Sequence, residues 1–227
     1  MTPKIERFLA ERRADTPCLV VDLDVVAECY ARVCATLPDA VVSYAVKANP
    51  AREVLENLIA LGSNFDAASM FEIETCLSLG ATPERIIYGN TIKKEADIEM
   101  AFARGIRMFA FDSEAELEKL ANAAPQAGVY CRIMTSGDGA DWPLSRKFGC
   151  EVDMAANLML RARELGLDAA GISFHVGSQQ TDAGQWGIAI ERVAGVFASV
   201  AAHGLNLRMI NLGGGFPVRY RKDVPTL

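Results

Sequence analysis

Four side chains able to do chemistry stand at the ends of β-prone runs in this sequence: Lys47, Asp66, Arg132 and His175. A fifth such run, at 207–212, ends in three consecutive glycines, Gly213, Gly214 and Gly215. An amine at the mouth of an apolar strand sheds its proton more readily than one in water, because desolvation disfavours the ammonium, and a neutral amine condenses with carbonyls. Lys47 is therefore the candidate Schiff-base residue. Adjacent glycines let backbone N–H groups turn towards an anion, which makes Gly213 to Gly215 the candidate phosphate cradle, with Ser178 as a hydroxyl donor beside it. An imidazole at a strand end can stack on a planar ring or move a proton. Each residue also has a plainer reading: Lys47 as a solvated loop lysine, Asp66 as a turn former, Arg132 as a structural ion-pair partner, His175 as a satisfied core histidine. Their repeated placement at strand ends is what argues for a site.

The elements that position them repeat. A strand at 17–23 precedes a helix that Asp24 caps and that runs to about Leu37; the Lys47 strand, at 41–46, follows, closed by Asn49-Pro50. Helices then end on Gly62, Gly80, Gly105, Gly166 and Gly204, with strands after them at 64–66, 85–89, 106–111, 169–175 and 207–212. Ser69 with Glu72, and Ser113 with Glu116, have capping-box spacing. Between 111 and 169 the pattern is a strand at 128–134, a polar loop at 135–150 and a helix at 153–165 with an apolar stripe of Met154, Leu158, Ala162 and Leu165. Lys93-Lys94 reads as a solvated face, and Trp186 and His203 as packing. Seven βα steps imply parallel strands in an α/β fold. A dinucleotide-binding sheet would open with G-x-G-x-x-G, where this chain has Lys-Ala-Asn-Pro, so a (β/α)8 TIM barrel is favoured. Barrels of this kind run to about 250 residues and place their chemistry at the C-terminal ends of the strands; this one is a strand short.

The 227 residues are 51% hydrophobic and 23% charged, which supports one sizeable core. A net charge of −6 without a basic, aromatic-interleaved stretch argues against nucleic acid as a partner. No signal-like or membrane-length apolar run is present, so a soluble, unexported chain with no membrane partner is expected. Six cysteines without C-x-x-C read as reduced packing residues, and with two histidines not paired to them a metal site is not expected.

An amine, an anion cradle, a ring neighbour and a charged pair are what pyridoxal phosphate chemistry requires of a protein. The motifs Tyr-Ala-Val-Lys47-Ala-Asn, Phe-Asp66-Ala-Ala-Ser, Phe-Asp112-Ser, Ser-Phe-His175-Val-Gly-Ser178 and Asn-Leu-Gly-Gly-Gly215-Phe-Pro resemble the alanine-racemase-fold decarboxylases, most closely the ornithine decarboxylases. The match runs from about Thr16 onward. The resemblance implies pyridoxal 5'-phosphate held on Lys47, His175 stacked on its ring as a second catalytic residue, Ser178 and Gly213 to Gly215 at the cofactor or its phosphate, and Asp66 and Arg132 ordering Lys47 and the ring's phenolic oxygen. It implies decarboxylation of an amino-acid substrate, L-ornithine, to putrescine in polyamine biosynthesis, by a cytoplasmic homodimer when full length. It further implies that 24–227 is a pyridoxal-phosphate-binding barrel lacking its last strand and a C-terminal β-domain, that the strand within 1–23 belongs to that β-domain, and that this span alone is inactive. Gly-Ser-Gln179 is also similar to diaminopimelate decarboxylases. Diaminopimelate, lysine or arginine as substrate, or a barrel that binds the cofactor without catalysis, stay open.

Overall fold

The structure, a computed structural model, describes residues 1–12, 15–143, 147–221 and 223–225. Helix α1 (Pro3–Glu11) and helix α2 (Leu23–Thr36) precede a run of parallel strands: β1 (Ser43–Ala45), β2 (Asn64–Ala67), β3 (Ile86–Tyr88), β4 (Met108–Phe111) and β5 (Gly128–Arg132). Between them lie α3 (Arg52–Ala60), α4 (Met70–Ser78), α5 (Glu95–Ala103) and α6 (Glu114–Ala123). After β5 come β6 (Ala140–Trp142), α7 (Val152–Glu164), β7 (Asp168–Ser173), β8 (Ser178–Gln180), α8 (Gly184–Ala201) and β9 (Met209–Asn211). Seven strands form one sheet in the order β1-β2-β3-β4-β5-β7-β9, every neighbouring pair parallel. This is the wall of a (β/α)8 barrel with seven strands. Strands β1 and β9 are its two edges among the described residues.

The alternation follows from local signals. Helices α3, α4, α5, α7 and α8 are each followed by a glycine at positive φ, Gly62, Gly80, Gly105, Gly166 and Gly204, where the chain reverses into the next strand. Helix α8 shows why the helices pack outside the sheet: Ala189, Val193, Val196 and Val200 recur at helical spacing and are all buried. Burying one such valine contributes about 1.5 kcal/mol or more. Strands β4 and β5 are buried on both faces, as parallel strands covered by helices must be.

Several expectations are corrected. Residues 17–21 form no strand and Leu19 is 84% exposed, because no neighbouring strand lies alongside them among the described residues. Asp22, not Asp24, caps α2, accepting from the Asp24 N–H at 3.2 Å, and Asp24 pairs with Lys4 instead. The polar stretch 135–150 contains β6, which pairs antiparallel with β8; residues 144–146 of that stretch lie outside the described residues. Helix α7 starts one residue early and turns Met154 outward, so Ala155, Leu158, Met159 and Ala162 form its buried stripe. Cys18 and Cys29 are exposed rather than packed, and His203 is exposed at the end of α8. Lys94 is exposed as expected, but Lys93 is buried against Glu116.

Both capping serines work, accepting from Glu72 N–H and Glu116 N–H at 3.3 Å. Only Glu72 reaches back to the chain before its helix, taking the Ala68 N–H at 2.6 Å; the Glu116 carboxylate has turned to Lys93 and Lys119.

Candidate active site

The strand at 41–46 is shorter than its sequence suggests. Strand β1 stops at Ala45, and Val46–Ala48 is a single 3₁₀ turn that buries Val46 and leaves Lys47 exposed. The Tyr44 hydroxyl closes the turn by donating to the Asn49 carbonyl at 3.2 Å. Lys47 is exposed, so the desolvated platform expected for its amine is not formed by this chain. The reason is topological: β1 is an edge strand, and the mouth of the barrel is open on that side. Ala45 sits opposite Asp66 in the β1–β2 register, which brings the lysine turn beside the aspartate. Asp66 in turn lies across the end of β3, where a side chain at Gly89 would collide with its carboxylate.

On the other side of the mouth, Arg132 is opposite Ser173 and Ser173 opposite Asn211, so β5, β7 and β9 deliver Arg132, His175 and the glycine triplet to the same end. A Cβ on Gly213 would lie 2.3 Å from the Phe174 carbonyl oxygen, and one on Gly215 would lie 2.2 Å from the Gly177 carbonyl oxygen. Only glycine fits there, and the triplet therefore lies directly against the His175–Ser178 segment. Position 214 differs: bare backbone faces the imidazole, with a built Cβ 3.6 Å from His175 Nε2. The Gly213 N–H is taken by Asn211 Oδ1 at 2.9 Å. Among the described residues the Gly214 and Gly215 N–H groups have no acceptor, leaving two backbone donors for an anion. Ser178 opens β8, half-buried, and the next-but-one residue, Gln180, donates its N–H to the Gly215 carbonyl at 2.8 Å. Trp186, read as packing, stacks on Phe216 just past the triplet, centroids 5.2 Å apart.

Charge links the four predicted side chains. Burial raises the Asp66 carboxyl to about 6, while the Lys47 and Arg132 cations pull it down and Glu72 pushes it up. Burial lowers His175 to about 4, helped by Arg132 and Lys47. Its Nδ1 accepts the Gly177 N–H at 3.0 Å, so the ring is neutral near pH 7 with its proton on Nε2. A flat, uncharged face suits stacking better than proton transfer. Glu72, which the sequence marks only as a helix cap, completes the acidic side of the mouth through its influence on Asp66.

The Asp66 shift has a measurable sign. Its folded value lies above its unfolded one, so above pH 6 the carboxylate is charged in both states and the folded state carries the burial penalty, up to about 3 kcal/mol. Asp66→Asn is therefore expected to stabilise the cofactor-free protein at pH 8, the gain shrinking as pH falls through about 6 and vanishing below about 4. Urea unfolding of both proteins at pH 8 and pH 4 checks this; an equal or larger gain at the lower pH contradicts it.

Residues 23–227 match the family described as pyridoxal-dependent decarboxylase, pyridoxal binding domain. The lysine/ornithine decarboxylase of Selenomonas ruminantium is 40% identical over 207 residues, 91% of this chain and 53% of its own length. The ornithine decarboxylase of Rattus norvegicus is 40% identical over 198 residues, 87% of this chain and 43% of its own. The solved structure of SrLDC in complex with PLP and cadaverine superimposes with TM-score 0.90 and 37% identity, covering 100% of this chain and 57% of its own. That of the lysine/ornithine decarboxylase from Vibrio vulnificus, complexed with cadaverine, gives TM-score 0.88 and 34% identity over 98% of this chain and 58% of its own. The chain spans about half the length of the curated relatives it matches.

Proposed function

The chain belongs to the pyridoxal-dependent decarboxylases, and from that premise we propose that it serves the decarboxylation of L-ornithine to putrescine. The observation that carries the proposal is the meeting of Lys47, Asp66, Arg132 and His175 beside the glycine triplet, at one end of a parallel sheet. The cofactor of this family is pyridoxal 5'-phosphate, and the residues fit it: an exposed amine, two free backbone N–H groups with Ser178 nearby, and a neutral imidazole against the bare backbone of Gly214. When bound, it supplies a sink for the electron pair left behind as carbon dioxide departs.

The chain's own residues would then divide the work. Lys47 would be the amine that holds the cofactor. Asp66, whose charge acts on Lys47, holds that amine in place. His175 would offer an uncharged face to the cofactor's ring, Gly214 and Gly215 with Ser178 would hold its phosphate, and Arg132 would be the cation for its phenolic oxygen. Residues 24–227 act as the cofactor-binding unit of a cytoplasmic protein that works as a homodimer when full length, and the exposed Leu19 and Val21 of the segment 1–23 pack on a second domain.

A second reading, lysine as the preferred substrate, is favoured by the Selenomonas relative, which is named for both amino acids. Full-length protein assayed for carbon dioxide release from ornithine, lysine, arginine and diaminopimelate decides between them. A kcat/KM for ornithine at least about tenfold above lysine is expected, a discrimination of roughly one methylene group. Preference for lysine would replace the substrate, and release from none of the four would remove the decarboxylase reading.

A further inference from the structure

Arg132 ends β5 half-buried, and among the described residues its guanidinium makes no hydrogen bond or ion pair. A long side chain left in that state keeps rotamer freedom, so something must order it if it is to meet a ligand in one geometry. The ordering contact is aromatic: Cζ of Arg132 lies 5.2 Å from the ring centroid of Phe148, and Nζ of Lys147 lies 5.1 Å from the same centroid. A guanidinium resting on an aromatic ring keeps its N–H donors for an anion, whereas an ion pair would use them up. Asp112, the carboxylate that acts most strongly on Arg132, stays beyond ion-pair distance and instead takes the Gly149 N–H on Oδ2 at 2.8 Å.

That bond seats Phe148. Gly149 has φ +97°, and a Cβ there would lie 2.7 Å from the Ile133 carbonyl carbon, so the backbone at 149 lies directly against the end of β5. Cys150 extends the contact, donating its N–H to the Arg132 carbonyl and accepting from the Met134 N–H, both at 3.0 Å, while pairing in parallel with Ile133. Residues 148–150 thus run along the strand end like a short extra strand, with the Phe148 ring laid against the guanidinium.

We propose that Phe148, seated by Asp112 through Gly149, is a positioning residue that holds the Arg132 guanidinium against its ring and leaves its N–H donors for an anionic oxygen of the bound cofactor. The proposal rests on the pyridoxal phosphate reading of the Lys47 site. It is tested in the full-length protein with Phe148→Leu, Phe148→Trp and Asp112→Ala. Two quantities are followed: the dissociation constant of pyridoxal phosphate from the apoprotein, and the pH midpoint of the bound cofactor's visible absorbance change. Loss of a contact of about 1 kcal/mol should weaken Phe148→Leu binding roughly fivefold and raise the midpoint by about 0.7 pH unit, since less positive charge is then fixed at the oxygen. Phe148→Trp should restore both values, and Asp112→Ala should shift both in the same direction as Phe148→Leu. A Phe148→Leu protein that only melts earlier, with affinity and midpoint unchanged, overturns the proposal, as does a loss that tryptophan fails to restore. Wild-type protein in which borohydride traps no pyridoxyl group on Lys47 would overturn the proposal and the functional reading together; an adduct on Lys47 with Phe148→Leu unchanged overturns the proposal alone.

Discussion

Lys47→Ala in the full-length protein is expected to abolish the pyridoxyl adduct trapped by borohydride and to lower kcat by about 10³-fold or more, while leaving the melting temperature nearly unchanged. The first part follows from chemistry: Lys47 is the lysine whose charge acts on both Asp66 and His175, whereas Lys147 lies against the Phe148 ring. Lys93, also close to a strand end, has its ammonium turned to Glu116 and two backbone carbonyls. The size follows from what removing a group that bonds or moves protons at a reacting centre does in other enzymes, 10²–10⁴-fold or more. The stability part follows from exposure. Lys47 makes no ion pair among the described residues, and a surface substitution of that kind changes stability by about 0.5 kcal/mol at most. Added short primary amines should recover part of the rate, since the site keeps its anion cradle. Retention of a trapped adduct on a different lysine would show that Lys47 is not the attachment point.

Lys93→Met carries the largest expected effect on stability, a loss of about 3 kcal/mol, or a fall in melting temperature of roughly 6–12 °C for a chain of this size. The Lys93 side chain is fully buried, its Nζ 2.9 Å from Glu116 Oε1 and donating to the carbonyls of Asn90 at 2.9 Å and Ala110 at 2.6 Å. It lies 5.5 Å from the centre of the Tyr88 ring. Burial pushes its pKa down to about 8, against the pull of Glu116, so the ammonium is held in the interior by its partners. Taking it away leaves the Glu116 carboxylate, 3% exposed, with Lys119 as its remaining cation. Breaking one side of such a pair is usually worth 3–5 kcal/mol, and Lys119 places this case at the lower end. Replacing both partners, Lys93→Met with Glu116→Leu, should recover most of the loss, because Lys119 is 31% exposed and can turn to water. A single variant as stable as the wild type, or a double variant worse than the single, would contradict this account. Denaturant unfolding of the three proteins supplies the comparison.

Much of the architecture was legible because its signals are local. The glycines after five helices, the serines at 69 and 113, and short apolar runs between them announce a βα repeat without reference to anything distant. The same locality explains where the fold departs from those signals. Residues 17–21 have strand composition, but a strand exists only beside a partner, and composition cannot say whether one is there. The stretch 135–150 has loop composition, and β6 forms there because Ser178–Gln180, almost forty residues later, lies alongside it. Spacing alone puts Met154 on a buried stripe as readily as its neighbours, and packing against α8 and the sheet selects Ala155, Leu158, Met159 and Ala162 instead.

The candidate site divides along the same line. Residue type and strand-end position in the sequence were enough to nominate Lys47, Asp66, Arg132, His175, Ser178 and the glycine triplet, because in a parallel sheet every strand end faces one rim. What each group is able to do there depended on neighbours brought from elsewhere in the chain. The Gly177 N–H settles the His175 tautomer; Asn211 claims the amide of Gly213 and leaves those of Gly214 and Gly215. Phe148 lies on Arg132 although sixteen positions separate them, and Lys93 is buried because Glu116 comes to it across β4. Local sequence sets backbone direction and which kinds of atom arrive at the rim. Solvent exposure, protonation and the choice of partner are properties of the space between distant segments, and they exist only once the sheet has brought those segments together.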